Sequence, residues 1–132
     1  MNYLIDTHCI LWSISNPEKL SKNVQRILED PNNKIFVTSL SLWEIALKVR
    51  IKKLSISGFK LEEIPSLLKQ MGIDLLDLSG DDAINFSGFP LTGHKDPFDL
   101  FLVYLAIRNK FTLVSKDANI SNLKIKGLKT IW

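Results

Sequence analysis

Apolar residues along the chain fall into short blocks with two different rhythms. Tyr3-Leu4-Ile5, Lys34-Ile35-Phe36-Val37-Thr38, Ile73 to Leu78 and Phe111-Thr112-Leu113-Val114 are short, continuous and rich in β-prone residues. That is the pattern of strands buried on both faces of a sheet. Between them the spacing changes to that of helices. Ile10, Leu11, Trp12 and Ile14 predict a helix from Thr7 that stops near Ser15-Asn16-Pro17. Val24, Ile27 and Leu28 form one stripe of a helix over Ser21 to Asp30, closed by Pro31-Asn32-Asn33. A helix from Leu42 to about Lys53 is capped by Ser39 or Ser41, and another runs from Leu61 to Met71 with Gly72 as its stop. Asp81 to Phe86 forms a short helix, and Asn119 to Leu123 a turn or short helix. Lys129-Thr130-Ile131-Trp132 reads as a last edge strand. Strands alternating with helices predict a three-layer α/β/α sandwich with a mainly parallel sheet. No repeat, linker or low-complexity run divides the chain, so residues 1–132 read as a single domain.

The strongest local signal is His94-Lys95-Asp96-Pro97-Phe98-Asp99, which opens an apolar helix running to about Asn109. Pro97 suits the first helical turn, where its missing N–H has no partner to lose. Asp96 then falls at the N-cap, and Asp99 lies one turn further in. Other acids follow strands closely. Asp6 comes directly after the first strand and Asp117 two residues after the fourth. Glu44 lies one turn into the helix after the second strand, where Trp43, Ile45, Ala46 and Leu47 suggest burial nearly all round.

In a parallel sheet the ends of the strands and the starts of the following helices share one edge, where ligands bind. Taken singly, each acid has an ordinary reading as a turn, cap or solvated helix residue. Together, Asp6, Glu44, Asp99 and Asp117 arrive at that edge from four separate segments. Crowded carboxylates repel unless they are protonated or bridged by cations. An oxygen-only donor set suits a hard ion, Mg²⁺ or Mn²⁺, and metal-assisted phosphodiester hydrolysis is the chemistry such a set serves.

Composition sharpens this picture. A formal charge of +3 looks unremarkable, but it comes from 17 basic and 14 acidic residues. Setting aside Asp6, Glu44, Asp96, Asp99 and Asp117 leaves 9 acids against 17 bases, a balance of +8 for the remainder. Such a surface suits a polyanion, although a mixed solubilising surface has the same composition. Lys48, Arg50, Lys52 and Lys53 either bind phosphates or solvate a helix end. Charges fall too often for a membrane span, and the first residues lack a signal peptide's basic start and long apolar middle. The single cysteine, Cys9, is compatible with a reducing cytoplasm and reads as a small buried residue. Thr7 either caps its helix or orders a ligand water. His8 and His94 read as surface or packing residues, and Trp12, Trp43 and Trp132 as core or interface rather than base-stacking platforms.

Four motifs in order carry a resemblance. Leu4-Ile5-Asp6-Thr7-His8, Ser41-Leu42-Trp43-Glu44-Ile45-Ala46-Leu47-Lys48, His94-Lys95-Asp96-Pro97-Phe98-Asp99 and Leu113-Val114-Ser115-Lys116-Asp117 span nearly the whole chain. The chain resembles the PIN-domain ribonucleases, in particular the VapC-like toxins of type II toxin–antitoxin systems. The resemblance implies a catalytic quartet of Asp6, Glu44, Asp99 and Asp117 holding Mg²⁺ or Mn²⁺. Asp96 is then an extra ligand or only the cap. It also implies cleavage of single-stranded RNA, often within structured RNAs such as tRNA, a homodimer, and inhibition by a protein antitoxin. Leu100 and Leu105 stand where related toxins commonly carry arginine and glutamine. Those two apolar residues keep open a second reading, a PIN-like module that works by binding antitoxin or RNA. A phosphatase using Asp6 as nucleophile is disfavoured, because Asp6-Thr7-His8-Cys9 offers no second acid.

Overall fold

The computed structural model describes all residues, 1–132. Five parallel strands form one sheet in the order β3-β2-β1-β4-β5. They are β1 (Asn2–Ile5), β2 (Lys34–Thr38), β3 (Ile73–Leu76), β4 (Thr112–Val114) and β5 (Thr130–Ile131). The central strand β1 pairs Leu4 with Phe36 on one side and with Leu113 on the other. The expected edge strand near Lys129 is present, and it runs parallel to β4. The helices are α1 (Thr7–Ser15), α2 (Lys22–Glu29), α3 (Ser39–Arg50), α4 (Ile64–Gln70), α5 (Gly80–Asn85), α6 (Pro97–Asn109) and α7 (Ala118–Ser121). No helix is long and apolar enough to cross a membrane.

The two-residue alternation of the strands builds two cores, one on each face of the sheet. Tyr3, Ile5, Ile35, Val37 and Val114 face Cys9 and Ile10 of α1, Val24 and Ile27 of α2, Ile45 of α3 and Leu68 of α4. Leu4 and Leu113, with Phe36 packed against them, face Leu102, Val103, Leu105 and Ala106 of α6 and Ile120 of α7. This is the expected three-layer sandwich. Phe36 and Phe111 stack at 4.7 Å between ring centres beneath α6.

Local chemistry explains most boundaries. Ser21 caps α2 by accepting from Val24 N–H, and Ser79 caps α5 by accepting from Asp82 N–H. Asp96 caps α6, accepting from the N–H groups of Phe98 and Asp99, and Pro97 occupies the first turn as its sequence position requires. Gly72, at φ +74°, follows α4 and turns the chain into β3. Three boundaries differ from expectation: α4 begins at Ile64 after a 3-10 turn over Leu61–Glu63, β3 ends at Leu76 rather than Leu78, and α3 starts earlier. The helix expected from Leu42 starts at Ser39 and ends at Arg50, and its cap is Thr38, the last residue of β2. Strand and helix share that residue with no loop between them. Ser39 instead accepts a hydrogen bond from Leu78 N–H, tying the start of α3 to the end of β3.

Candidate metal and nucleic-acid edge

All the acids singled out by sequence lie at the edge where β1, β2 and β4 end and α1, α3, α6 and α7 begin. Asp6 links β1 to α1: its backbone N–H donates to Val114 of β4, and its carboxylate accepts from Cys9 N–H at 2.9 Å. Thr7 follows, and its hydroxyl donates to Glu44 Oε1 at 2.6 Å. The two motifs are 37 residues apart in sequence and meet through this buried contact. Glu44 is itself buried and its second oxygen, Oε2, accepts from Lys48 Nζ at 2.7 Å. Lys48 stands about one helical turn on, at the i,i+4 spacing that brings side chains together. The hydrogen bond to Glu44 raises the Lys48 ammonium above its usual range. Burial opposes the rise, and the negative charges of Glu44, Asp96 and Asp99 add to it.

Asp99 occupies the first turn of α6 and bonds through Oδ2 to His94 Nε2 at 3.0 Å. Burial pushes its carboxyl above the ordinary value, the His94 contact pulls it back, and the Asp96 and Asp117 charges push it up again. Asp99 therefore feels both neighbouring acids, one from its own helix cap and one from the end of β4. Asp117 caps α7 by accepting from Asn119 N–H, and Ser115 receives the Asp117 N–H.

The shared edge is thus observed, but a closed cage of ligands is not. No three of the carboxylates, imidazoles and thiol are grouped closely enough to hold an ion in this arrangement. Each acid is instead held by an internal donor: Asp6, Asp96 and Asp117 by helix N-terminal amides, Glu44 by Thr7 and Lys48, and Asp99 by His94. Cys9 takes no part in ligation. Its thiol donates weakly toward Val114 C=O, and burial drives its ionisation far upward, leaving it an inert core group.

Four placements differ from the sequence reading. Helix α3 is not buried all round, because Trp43 is 57 % exposed, its ring meeting Phe98 at 5.6 Å between centres. His94 is a partner of Asp99 rather than a general surface residue. Lys48 belongs to the acid edge and not to the outer basic group of Arg50, Lys52 and Lys53, which stay exposed. Its i,i+4 spacing from Glu44 was a signal visible in the sequence. Ser41 does not cap α3: its hydroxyl is buried without a hydrogen-bond partner, one turn before Glu44. Trp12 and Trp132 do pack as expected, edge to face at 5.9 Å against the α1 core. Leu105 is wholly buried among the α6 core residues, so its apolar character serves packing.

Residues 3–126 match the PIN domain family. The chain belongs to that family. PIN domains are generally nucleases and generally use a divalent metal. No curated protein matches the chain. Solved structures do resemble it. VapBC2 from Rickettsia felis, bound to a DNA fragment from the promoter, aligns over 99 % of this chain and 98 % of its own, at 20 % identity and a TM-score of 0.63. DNA-bound VapBC from Salmonella typhimurium covers 99 % and 97 % at 16 % identity and a TM-score of 0.62. VapBC-1 from nontypeable Haemophilus influenzae covers 99 % and 97 % at 16 % identity and 0.61. Likeness at these identities is a likeness of fold.

The donor chemistry of this PIN domain edge fits a hard divalent ion. The acids offer carboxylate oxygens only, the Ser41 hydroxyl is an unpartnered oxygen one turn from Glu44, and no thiolate competes. The Asp96 and Asp117 charges that raise the Asp99 carboxyl are repulsions a cation relieves.

Proposed function

We propose that this PIN domain is a divalent-metal-dependent endoribonuclease and the toxin of a toxin–antitoxin pair. The observation that carries the reading is the bonded acid edge itself: Thr7, next to Asp6, donates to Glu44, Lys48 donates to the other Glu44 oxygen, and Asp96 caps the helix that carries Asp99, whose neighbour Phe98 meets Trp43 beside Glu44. The charges of Asp96 and Asp99 at Lys48, and of Asp96 and Asp117 at Asp99, agree with it. Asp6, Asp99 and Asp117, with Glu44, would hold Mg²⁺ or Mn²⁺. When bound, the ion supplies charge neutralisation for the phosphate and lowers the pKa of an attacking water.

The chain's own residues do the rest. Thr7 fixes Glu44 in one rotamer across 37 residues of sequence, so the carboxylate is pre-positioned. His94 orients Asp99 from the loop that precedes α6. Lys48 keeps a positive charge among the acids and moderates their repulsion of an incoming phosphate. Asp96 serves as the cap of α6, with both bonds of that role made.

A cavity of about 340 Å³ lined by Phe89, Tyr104, Ile107 and Arg108 contains none of the acids. Asp96 at this edge is exposed and Asp99 keeps partial access to solvent, and the basic surplus elsewhere on the chain is complementary to phosphates. The antitoxin belongs to this proposal through the likeness to VapBC structures, and the homodimer through the resemblance of the four sequence motifs to VapC-like toxins.

The test is cleavage of RNA by the purified protein in Mg²⁺, Mn²⁺ or EDTA, beside Asp6→Asn and Asp99→Asn. Cleavage is expected with either metal and lost in EDTA and in both variants. Activity surviving all three removals would overturn the mechanism.

A further inference from the structure

The nuclease reading leaves unexplained why a tryptophan stands in water beside the acids. Trp43 is the one aromatic residue among the large side chains that are mostly exposed, whereas Trp12 and Trp132 pack against the core and each other. Its place in the fold is specific. Trp43 precedes Glu44 on α3 and Phe98 precedes Asp99 on α6, and the two rings meet at 5.6 Å with a 52° tilt. Phe98 thus holds the indole from one side while more than half of Trp43 remains open to solvent. An aromatic ring already fixed in place has little side-chain freedom left to lose on binding.

Cations accompany it at the same edge. Lys48 is bonded to Glu44 near Asp96 and Asp99, exposed Lys95 adjoins the cap of α6, and exposed Lys116, next to Asp117, sets its ammonium over the Trp12 ring at 5.9 Å. An open aromatic face on an edge that also carries cations is how sequence-tolerant proteins hold single strands: bases stack on rings while the backbone follows the positive groups.

We propose that Trp43 is a stacking platform for an unpaired base of the RNA, next to the phosphate that is cut. The inference rests on the nuclease reading for the identity of the ligand. It makes Trp43 a positioning and specificity residue, selecting single strands because the base faces in a duplex are already covered by their neighbours. The indole offers no base-edge hydrogen bonds beyond one N–H donor, so recognition depends on the presence of a base more than on its identity.

The test measures binding of a fluorescein-labelled ten-nucleotide single-stranded RNA by anisotropy, in Ca²⁺, with the strand shown intact by electrophoresis. Wild type is compared with Trp43→Ala and Trp43→Phe, each checked by circular dichroism. Trp43→Ala is expected to weaken binding about 5- to 150-fold, and Trp43→Phe to restore most of it. Strands carrying a single abasic site at successive positions provide a measurement independent of folding. At one position the abasic strand should weaken wild-type binding to a similar degree and leave Trp43→Ala almost unaffected. Equal binding by wild type and Trp43→Ala overturns the platform and points to a protein contact at Trp43. A loss in Trp43→Ala that is undiminished on every abasic strand also overturns it. Cleavage in Mg²⁺ is run in parallel to separate the two readings. Cleavage by wild type with no dependence of binding on Trp43 leaves the nuclease standing without its platform. Binding that depends on Trp43 without any cleavage leaves the platform and removes the nuclease. A wild type that neither binds nor cleaves single strands overturns both.

Discussion

Helices α3 and α6 present the same local plan with opposite outcomes. Each begins at the edge of the sheet, carries an acid in its early turns, and places an aromatic residue directly before that acid: Trp43-Glu44 and Phe98-Asp99. Each acid has a cationic or ionisable partner, Lys48 four residues later and His94 five residues earlier. Yet Glu44 is closed and Asp99 is open. Both Glu44 oxygens are bonded and the residue is 4 % exposed, whereas Asp99 uses only Oδ2 and keeps partial access to solvent. The aromatics reverse the order, with Trp43 exposed and Phe98 partly covered. An acid whose hydrogen bonds are complete is a structural anchor first. One with a free oxygen and a carboxyl raised by burial is the better candidate for the cation of the proposed function.

This contrast can be tested by substitution, and the largest effect is expected at the open acid. Asp99→Asn should lower RNA cleavage by about 100-fold or more while the protein stays folded. Its stability should move the other way. A carboxyl whose folded value lies above its unfolded one makes the fold less stable at pH values above the ordinary 3.8, and the deficit disappears as pH falls through the folded value. The melting temperature of Asp99→Asn should therefore match or exceed wild type at pH 7, and that margin should shrink in acid. A variant that unfolds at neutral pH would erase the distinction between the two helices.

Glu44→Ala is the complementary case. It strands the buried Thr7 hydroxyl and removes the partner of Lys48, and urea unfolding should show a loss of about 1–3 kcal/mol. The Lys48 side chain is 37 % exposed, which keeps the ion pair's own share small. A loss near zero would mean that Glu44 anchors nothing.

Lys48→Met examines whether the internal cation competes with an added one. Mn²⁺ affinity by calorimetry should rise about 3- to 10-fold, because a neighbouring positive charge disfavours a second one. Unchanged affinity would place the ion beyond the reach of Lys48. The smallest effect is expected at the cap. Asp96→Ala should cost about 1 kcal/mol of stability, and Asp96→Asn should recover most of it because an amide oxygen caps nearly as well. Cleavage lost in Asp96→Asn, with stability kept, would promote Asp96 from cap to ligand.

Much of the fold was legible because its signals are local. Lys34–Thr38 is a strand over the expected span, and Thr7–Ser15 is a helix bounded by Asp6 and by Asn16-Pro17. Caps and prolines act within a few residues, so their positions alone define such ends. The start of α3 was misread because Thr38 ends a strand and caps a helix at once, and β-branched residues favour the first role without revealing the second. Trp43 was misread for another reason. Helical periodicity says which residues share a face, but only the packing of α6 beside α3 decides how much of that face is covered.

What the sequence determined by itself is the alternation of strands and helices and the delivery of Asp6, Glu44, Asp99 and Asp117 to one edge, since a parallel sheet sends every strand end to the same side. The tertiary structure alone decided how those acids are occupied. Thr7 reaches Glu44, His94 turns onto Asp99, and Trp43 is left in the open, because pairings between segments depend on distances and directions that no local pattern encodes.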